Sequence, residues 1–127
     1  MPRPTQLPTV AVINAGRLDW DRQINWATLP NSAVYHEEPE HPPSDDDIIL
    51  MCRGCDVMVT KEIQITASLI ESLPGTIKLI CEAGTGYNNI DMDECRTRGI
   101  TVMNVPSYSE DAVASLVLTF ILNHAAG

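Results

Sequence analysis

The sequence predicts an α/β fold, a doubly wound sheet of about five parallel strands, and three observations carry that reading. Short apolar runs rich in β-branched residues recur at 9–14, 32–36, 56–60, 77–81 and 101–104, bounded by Gly, Pro, Asn and Asp. Stretches with helical spacing or helix-start residues separate them, and such alternation favours parallel pairing through crossover helices. At 127 residues, 44% hydrophobic and 20% charged, the chain has the composition of one globular domain able to bury a sizeable core.

Residues 9–14 (TVAVIN) form the first strand and end in an Asn14-Ala15-Gly16 turn. Asp19 then caps a helix in which Trp20, Ile24 and Ala27 recur at helical spacing until Pro30 closes it. A weaker second strand spans 32–36. The next helix covers 45–53, with Asp45, Asp46 and Asp47 at its favoured positive end and Gly54 placed to stop it. Residues 56–60 (DVMVT) make the third strand, and 61–73 a helix burying Ile63, Ala67 and Ile70 before Pro74-Gly75. The fourth strand, 77–81, opens into Gly84-Thr85-Gly86-Tyr87-Asn88-Asn89 and a short helix from about Asp91. The fifth, 101–104, stops just before Pro106.

Ser109 caps a final helix over 109–124, with Glu110 and Asp111 in its first turn and His124 at its C-terminal end. Eight of the ten residues from 113 to 122 are apolar, all round the helix rather than along one stripe. Leaving three or four large side chains in water at ~1.5–3 kcal/mol each would forfeit a sum comparable with a domain's ~5–15 kcal/mol stability. This helix therefore needs a partner, in its own chain or another.

Eight Lys plus Arg against seventeen Asp plus Glu leave a net charge of -9, which repels nucleic acid and anionic membranes. Residues 1–8 have no apolar core of a signal peptide, and no apolar run approaches the roughly 20 residues of a membrane span, so a cytoplasmic protein is expected. Glu37, Glu38, Glu40, Asp45, Asp46 and Asp47 crowd a proline-rich stretch that reads as a solvated loop. It lacks the alternating acids and glycine turn of a hard-cation site, and no metal is expected. Cys52 and Cys55 lie after a helix rather than at its start, and Cys81 and Cys95 are far apart. Reduced, partly buried thiols fit better than a zinc site or a redox pair.

The chain holds no P-loop, no GxSxG and no HExxH. In open parallel sheets ligands sit where strands end, and unpaired amides at a helix start favour an anion there, so the loop at Gly84, Thr85 and Gly86 is a candidate carboxylate site. A GxG taken alone favours a tight packing turn over a ligand loop. A phosphoacceptor receiver would want acids after the first strand and an Asp ending the third, where Asn14 and Thr60 stand. An FMN-binding loop rich in Ser and Thr is absent at Asn14-Ala15-Gly16-Arg17.

The ordered set Val59-Thr60-Lys61, Ile77-Lys78-Leu79-Ile80, Gly84-Thr85-Gly86-Tyr87-Asn88-Asn89-Ile90-Asp91, Gly99-Ile100-Thr101-Val102, Asn104-Val105-Pro106-Ser107-Tyr108-Ser109 and Ala112-Val113-Ala114 closely resembles the N-terminal part of the D-isomer-specific 2-hydroxyacid dehydrogenases. Within that family it is most similar to the glycerate dehydrogenase, hydroxypyruvate reductase and D-lactate dehydrogenase group. The likeness covers roughly residues 9–123 and is strongest after Asp56. It implies a flavodoxin-like substrate domain and reduction of a 2-oxo acid by NADH or NADPH held on an inserted Rossmann domain. It also implies that backbone groups around Gly84, Thr85 and Gly86 face the substrate carboxylate, with Tyr108 nearby. Asn104, Val105 and Pro106 would lie toward the nicotinamide, and the helix from Ser109 would lead to the nucleotide domain and form a subunit interface.

Departures temper the resemblance. Ser107 stands where glycine is common and Ser115 where Glu or Gln is usual. The chain stops at Gly127, before the dinucleotide fingerprint and the Arg, Glu and His that assist hydride transfer. The expectation is a single substrate-binding domain over 1–127 with no catalytic residue of its own. It would bind a small 2-oxo or 2-hydroxy acid weakly, hold no cofactor tightly and form a homodimer through 109–124. Two other readings are a non-catalytic interaction protein derived from the family, and a half-enzyme whose Rossmann part comes on a separate polypeptide.

Overall fold

The computed structural model describes residues 6–37 and 40–125; most of the leading segment and Glu38 of the acidic stretch lie outside the described residues. Five strands, β1 (Val10–Val12), β2 (Ser32–Val34), β3 (Val57–Thr60), β4 (Leu79–Glu82) and β5 (Thr101–Met103), form one sheet in the order β2-β1-β3-β4-β5, every pair parallel. That order is the flavodoxin-like one, with the winding direction switching between β1 and β3. Among the described residues five α-helices complete it: α1 (Ala15–Leu18), α2 (Asp45–Met51), α3 (Ala67–Ser72), α4 (Met92–Thr97) and α5 (Glu110–Ala125).

Strand side chains alternate between faces, and the core divides accordingly. Ala11, Ile13, Met58 and Ile80 pack with Ile48 of α2, Leu69 and Ile70 of α3 and Cys95 of α4. Val10 and Val12 pack the other way, with Ala15, Trp26, Leu29, Val34, Val57 and Val59. Burial of that second face fades across the sheet, from wholly buried β1 to half-buried Leu79 and Cys81 and an exposed Met103.

Helix α2 follows its sequence signals. Ser44 Oγ accepts from Asp47 N at 3.2 Å while Asp47 Oδ2 accepts from Ser44 N at 3.0 Å, a reciprocal capping box. Gly54, at φ 73°, turns the chain after it into β3.

Two expected helices take other forms. No α-helix occupies 20–27, because the Asp19 carboxylate reaches beyond a capping position: it accepts from Ile24 N at 2.9 Å and from Trp26 Nε1 at 2.8 Å. The Ile24 N–H, opposed by burial and helped by Trp26, holds Asp19 below the usual carboxylate range. Arg22 at φ 58° breaks any helical run, Trp20 is 82% exposed, and only a 3₁₀ turn forms at Trp26–Thr28. The helix expected over 61–73 starts late, at Ala67, capped by Thr66 Oγ1 accepting from Leu69 N at 3.2 Å. Residues 61–65 pass instead along the sheet edge, where Ile65 makes a parallel bridge to Ile90. Ile63 is buried from that irregular segment, so its spacing to Ala67 and Ile70 arises across a turn.

Helix α5 stands apart. None of its residues is buried, and Val113, Leu116, Val117, Leu118, Phe120, Ile121 and Leu122 are each more than half exposed. No helix among the described residues is long and apolar enough to cross a membrane.

Truncating the buried Ile80 to Ala should lower the unfolding free energy by about 2–5 kcal/mol through lost burial and a residual cavity. Ile24→Ala, at a position 43% exposed, should change it by no more than about 0.5 kcal/mol. Urea unfolding of both variants checks the pair, and equal losses would put Ile24 on a buried helical face after all.

Candidate functional site

The C-terminal edge of the sheet is shaped by one buried carboxylate. Glu82 ends β4 at 2% exposure, with Oε1 accepting from Glu62 N at 3.2 Å and Oε2 from Asn89 Nδ2 at 3.0 Å. Asn89 Nδ2 also donates to Ile63 O at 2.7 Å, Ile65 N to Asn89 O at 2.7 Å, and Asp91 N to Ile65 O at 3.0 Å. These bonds stitch the segment after β3 to the loop after β4, so both side chains and backbone there have fixed positions.

Between the two segments lies a cleft of about 350 Å³ lined by Lys61, Glu62, Glu82, Gly84, Thr85, Gly86, Asn88, Asn89, Tyr108 and Ser109. Its floor depends on Gly84. A Cβ there would stand 3.0 Å from Lys61 Nζ and 3.1 Å from Glu82 Oε1, tighter than ordinary contact, so a side chain at this position would require the ammonium or the carboxylate to shift by a few tenths of an ångström.

The residues singled out from sequence come together here. Gly84 is buried and Thr85 and Gly86 are exposed at the cleft wall, while Tyr108 Oη accepts from Lys61 Nζ at 3.4 Å, its ring centroid 5.9 Å from that nitrogen. Asn104 Nδ2 donates to Thr85 O at 2.8 Å and Val105 N to Gly84 O at 2.9 Å; Pro106 follows them, exposed. The Gly84 and Thr85 carbonyls are thus occupied, while the N–H groups of Gly84, Thr85 and Gly86 meet no acceptor among the described residues. A wall offering donors is suited to an anionic oxygen.

The charge at this wall has a different origin from the one expected. The N-terminus of α4 is capped by its own Asp91, whose Oδ1 accepts from Glu94 N at 2.9 Å, and it lies beyond the Gly84–Gly86 loop along the chain. A second hollow, about 420 Å³ between the starts of α3 and α4, is likewise closed to anions by Asp91 and Asp93 in its lining. The cation beside Gly84 is Lys61. Partial burial pulls its pKa down, but the Glu62 and Tyr108 contacts together outweigh that and raise it above the ordinary lysine value, so it is charged at neutral pH. Lys61 belongs to the Val59-Thr60-Lys61 motif, whose local sequence assigns it no role; only the fold brings it to Gly84.

Val105 and Pro106 are exposed, while the Asn104 amide and Val105 N–H are committed to the Thr85 and Gly84 carbonyls. The GxG lacks the third glycine of a dinucleotide loop.

Cys52, Cys55 and Cys95 are buried free thiols and Cys81 is half-buried. Burial, with Cys55 adding to it, pushes the Cys52 thiol up to about 12, which leaves no thiolate for redox exchange at neutral pH. Among the described residues no three His, Cys, Asp or Glu side chains converge as metal ligands.

Glu82→Gln tests the stitching. The amide retains one acceptor and turns an NH₂ toward a group that itself donates, which should destabilise the chain by about 1–3 kcal/mol in urea unfolding. It should also speed hydrogen exchange of the Glu62 amide; unchanged exchange and stability would show that the loops hold without the carboxylate.

Comparison with known proteins agrees with this architecture. The family model described as D-isomer specific 2-hydroxyacid dehydrogenase, catalytic domain, matches residues 22–119. The glyoxylate reductase of Thermococcus litoralis is 33% identical over 87 residues, covering 68% of this chain and 26% of that protein. The hydroxypyruvate reductase of Thermotoga maritima is 33% identical over 78 residues, 61% of this chain and 25% of that protein. Among solved structures, the pyruvate reductase of Chlamydomonas reinhardtii superposes with a TM-score of 0.71 at 25% identity, covering 91% of this chain and 34% of the other. The fold alone is shared with the Aquifex aeolicus D-lactate dehydrogenase complexed with NAD and lactic acid, at a TM-score of 0.69, 22% identity and coverage of 90% and 33%. The chain spans about a quarter of the length of these curated relatives. With the family pattern matched over most of its length and the flavodoxin-like sheet beneath it, the chain belongs to the D-isomer specific 2-hydroxyacid dehydrogenase family.

Proposed function

We propose that these residues are the substrate-binding portion of an NAD(P)-dependent D-2-hydroxyacid dehydrogenase, taking the carboxylate of a small 2-oxo or 2-hydroxy acid at Gly84, Thr85 and Gly86 beside Tyr108. The observation that carries the reading is the row of N–H groups without acceptors beside a charged lysine, in a cleft stitched open by Glu82. The names of the relatives, reductases of glyoxylate and hydroxypyruvate, supply the class of acid.

In this reading residues 1–127 act as one binding domain, and Asn104, Val105 and Pro106 border the nicotinamide in an enzyme that includes a dinucleotide-binding part. The 127 residues contain no GxGxxG, so they carry no hydride chemistry by themselves. Two or three N–H bonds to a carboxylate, offset by association costs, leave about 3–4 kcal/mol, which is millimolar affinity or weaker.

Titrating glyoxylate into isotopically labelled chain should shift the amide signals of Thr85 and Gly86 with a millimolar midpoint and leave those of β2 still. Shifts spread over the surface, or none near Gly84, would reject the site. NADH mixed with glyoxylate and this chain should show no loss of absorbance; turnover would reject the view that the binding portion is inactive alone.

A second reading, an oligomerising interaction protein derived from the family, is favoured by the seven large apolar residues exposed on α5. Both readings call for a partner on that helix, and a second copy of the chain is the simplest. The melting temperature should then rise with protein concentration, and the mass should fall from dimer to monomer on about hundredfold dilution. A constant melting temperature with monomer mass throughout would remove self-association. Capture of a full-length relative in place of a second copy would favour the interaction protein.

A further inference from the structure

We infer that Lys61 is the residue that grips the charged end of the acid, and that Glu62 is its internal competitor, occupying the ammonium until a ligand carboxylate replaces it. The inference rests on the acid-binding reading of the Gly84 cleft and adds to it which side chain sets the affinity.

The two partners are unequal. The Lys61 side chain is 14% exposed, pinned between Gly84, Tyr108 and the stitched loops, whereas the Glu62 side chain is 54% exposed. Glu62 Oε1 lies 3.2 Å from Lys61 Nζ and Oε2 lies 3.2 Å from Arg17 Nη1, itself on a half-exposed side chain. A pair with one hydrated member is weakly held, so the exposed carboxylate is the one that can leave. An ammonium has three N–H groups, and among the described residues only Glu62 and the Tyr108 hydroxyl meet this one.

Glu82 is not an alternative partner. It lies on the inner side of Gly84, with Oε1 and Oε2 already engaged by Glu62 N and Asn89 Nδ2. Lys61 therefore stands beside Gly84, in the cleft that Thr85 and Gly86 also line, with one exchangeable carboxylate, chemically the same group the ligand would bring.

Backbone geometry points the same way. Glu62 has φ 57°, a conformation uncommon for a residue other than Gly, Asn or Asp, and its N–H is fixed to Glu82. Such a conformation persists where surrounding contacts impose it, and Glu62 has them in Glu82 at its N–H and in Lys61 and Arg17 at its carboxylate.

The test uses the full chain and glyoxylate, read by calorimetry or amide shifts, with circular dichroism confirming that each variant folds. E62Q should tighten glyoxylate about fivefold by freeing Lys61. K61M should weaken it roughly tenfold or more, and K61R should retain most of the affinity. In the double variant K61M/E62Q the gain from E62Q should vanish, a dependence that a merely structural role for Glu62 would not produce. If K61M does not fold, the E62Q and K61R arms decide. Native-like affinity in folded K61M would overturn the inference and leave the acid-binding reading in place. Weaker binding in E62Q would overturn the competitor role, making Glu62 a positioning residue. No binding by the native chain or by E62Q would overturn both readings.

Discussion

A carboxylate taken out of water must find donors, and the way Glu82 finds them organises the whole functional edge of this molecule. It reaches one donor on the segment after β3 and another on the loop after β4, neither of which is part of regular structure. Were those loops independent, each would carry its own ordering entropy. Joined through a buried acid, Asn89 and the Ile65–Ile90 bridge, they behave as a continuation of the sheet beyond its last hydrogen-bonded rung. The position of Lys61, the floor at Gly84 and the openness of the cleft all follow from this joint.

Parallel sheets leave strand ends as the place where backbone polarity is not cancelled by the ladder, and here the cancellation is selective. The neighbouring strand segment at Asn104 and Val105 takes the loop's carbonyl groups and leaves its amide groups. The result is a surface with one sign of hydrogen-bonding capacity, reinforced by a lysine whose carboxylate contact holds it protonated. Local polarity thus opposes the strongly acidic character of the whole chain. A net charge of -9 disfavours anions at long range, while a few oriented donors favour one at short range.

Helix α5 follows a different rule. In α2, α3 and α4 apolar side chains meet the core from one side; on α5 they encircle the helix and none is buried. The apolar surface on this helix is a property of the sequence that the described residues leave uncovered.

The sequence by itself determined the strand count, the parallel arrangement, the acidic start and the stop of α2, and the loop on which the candidate site sits. Each of these is written in short-range chemistry: β-branched runs, the three aspartates, Gly54, the paired glycines. It misjudged 20–27 and 61–65 because the deciding contacts are made over longer distances. Asp19 captures Ile24 and Trp26 instead of starting a helix, and Ile65 pairs with Ile90, a residue far along the chain whose partnership no local spacing reveals. Only tertiary structure decided which groups surround Gly84. Lys61 and Glu82 belong to different strand ends, and a single missing Cβ between them is visible only once β3 and β4 lie side by side. Periodicity and capping report what a residue does to its near neighbours, whereas charge and donor placement at a cleft are fixed by the strand order that brings distant residues together.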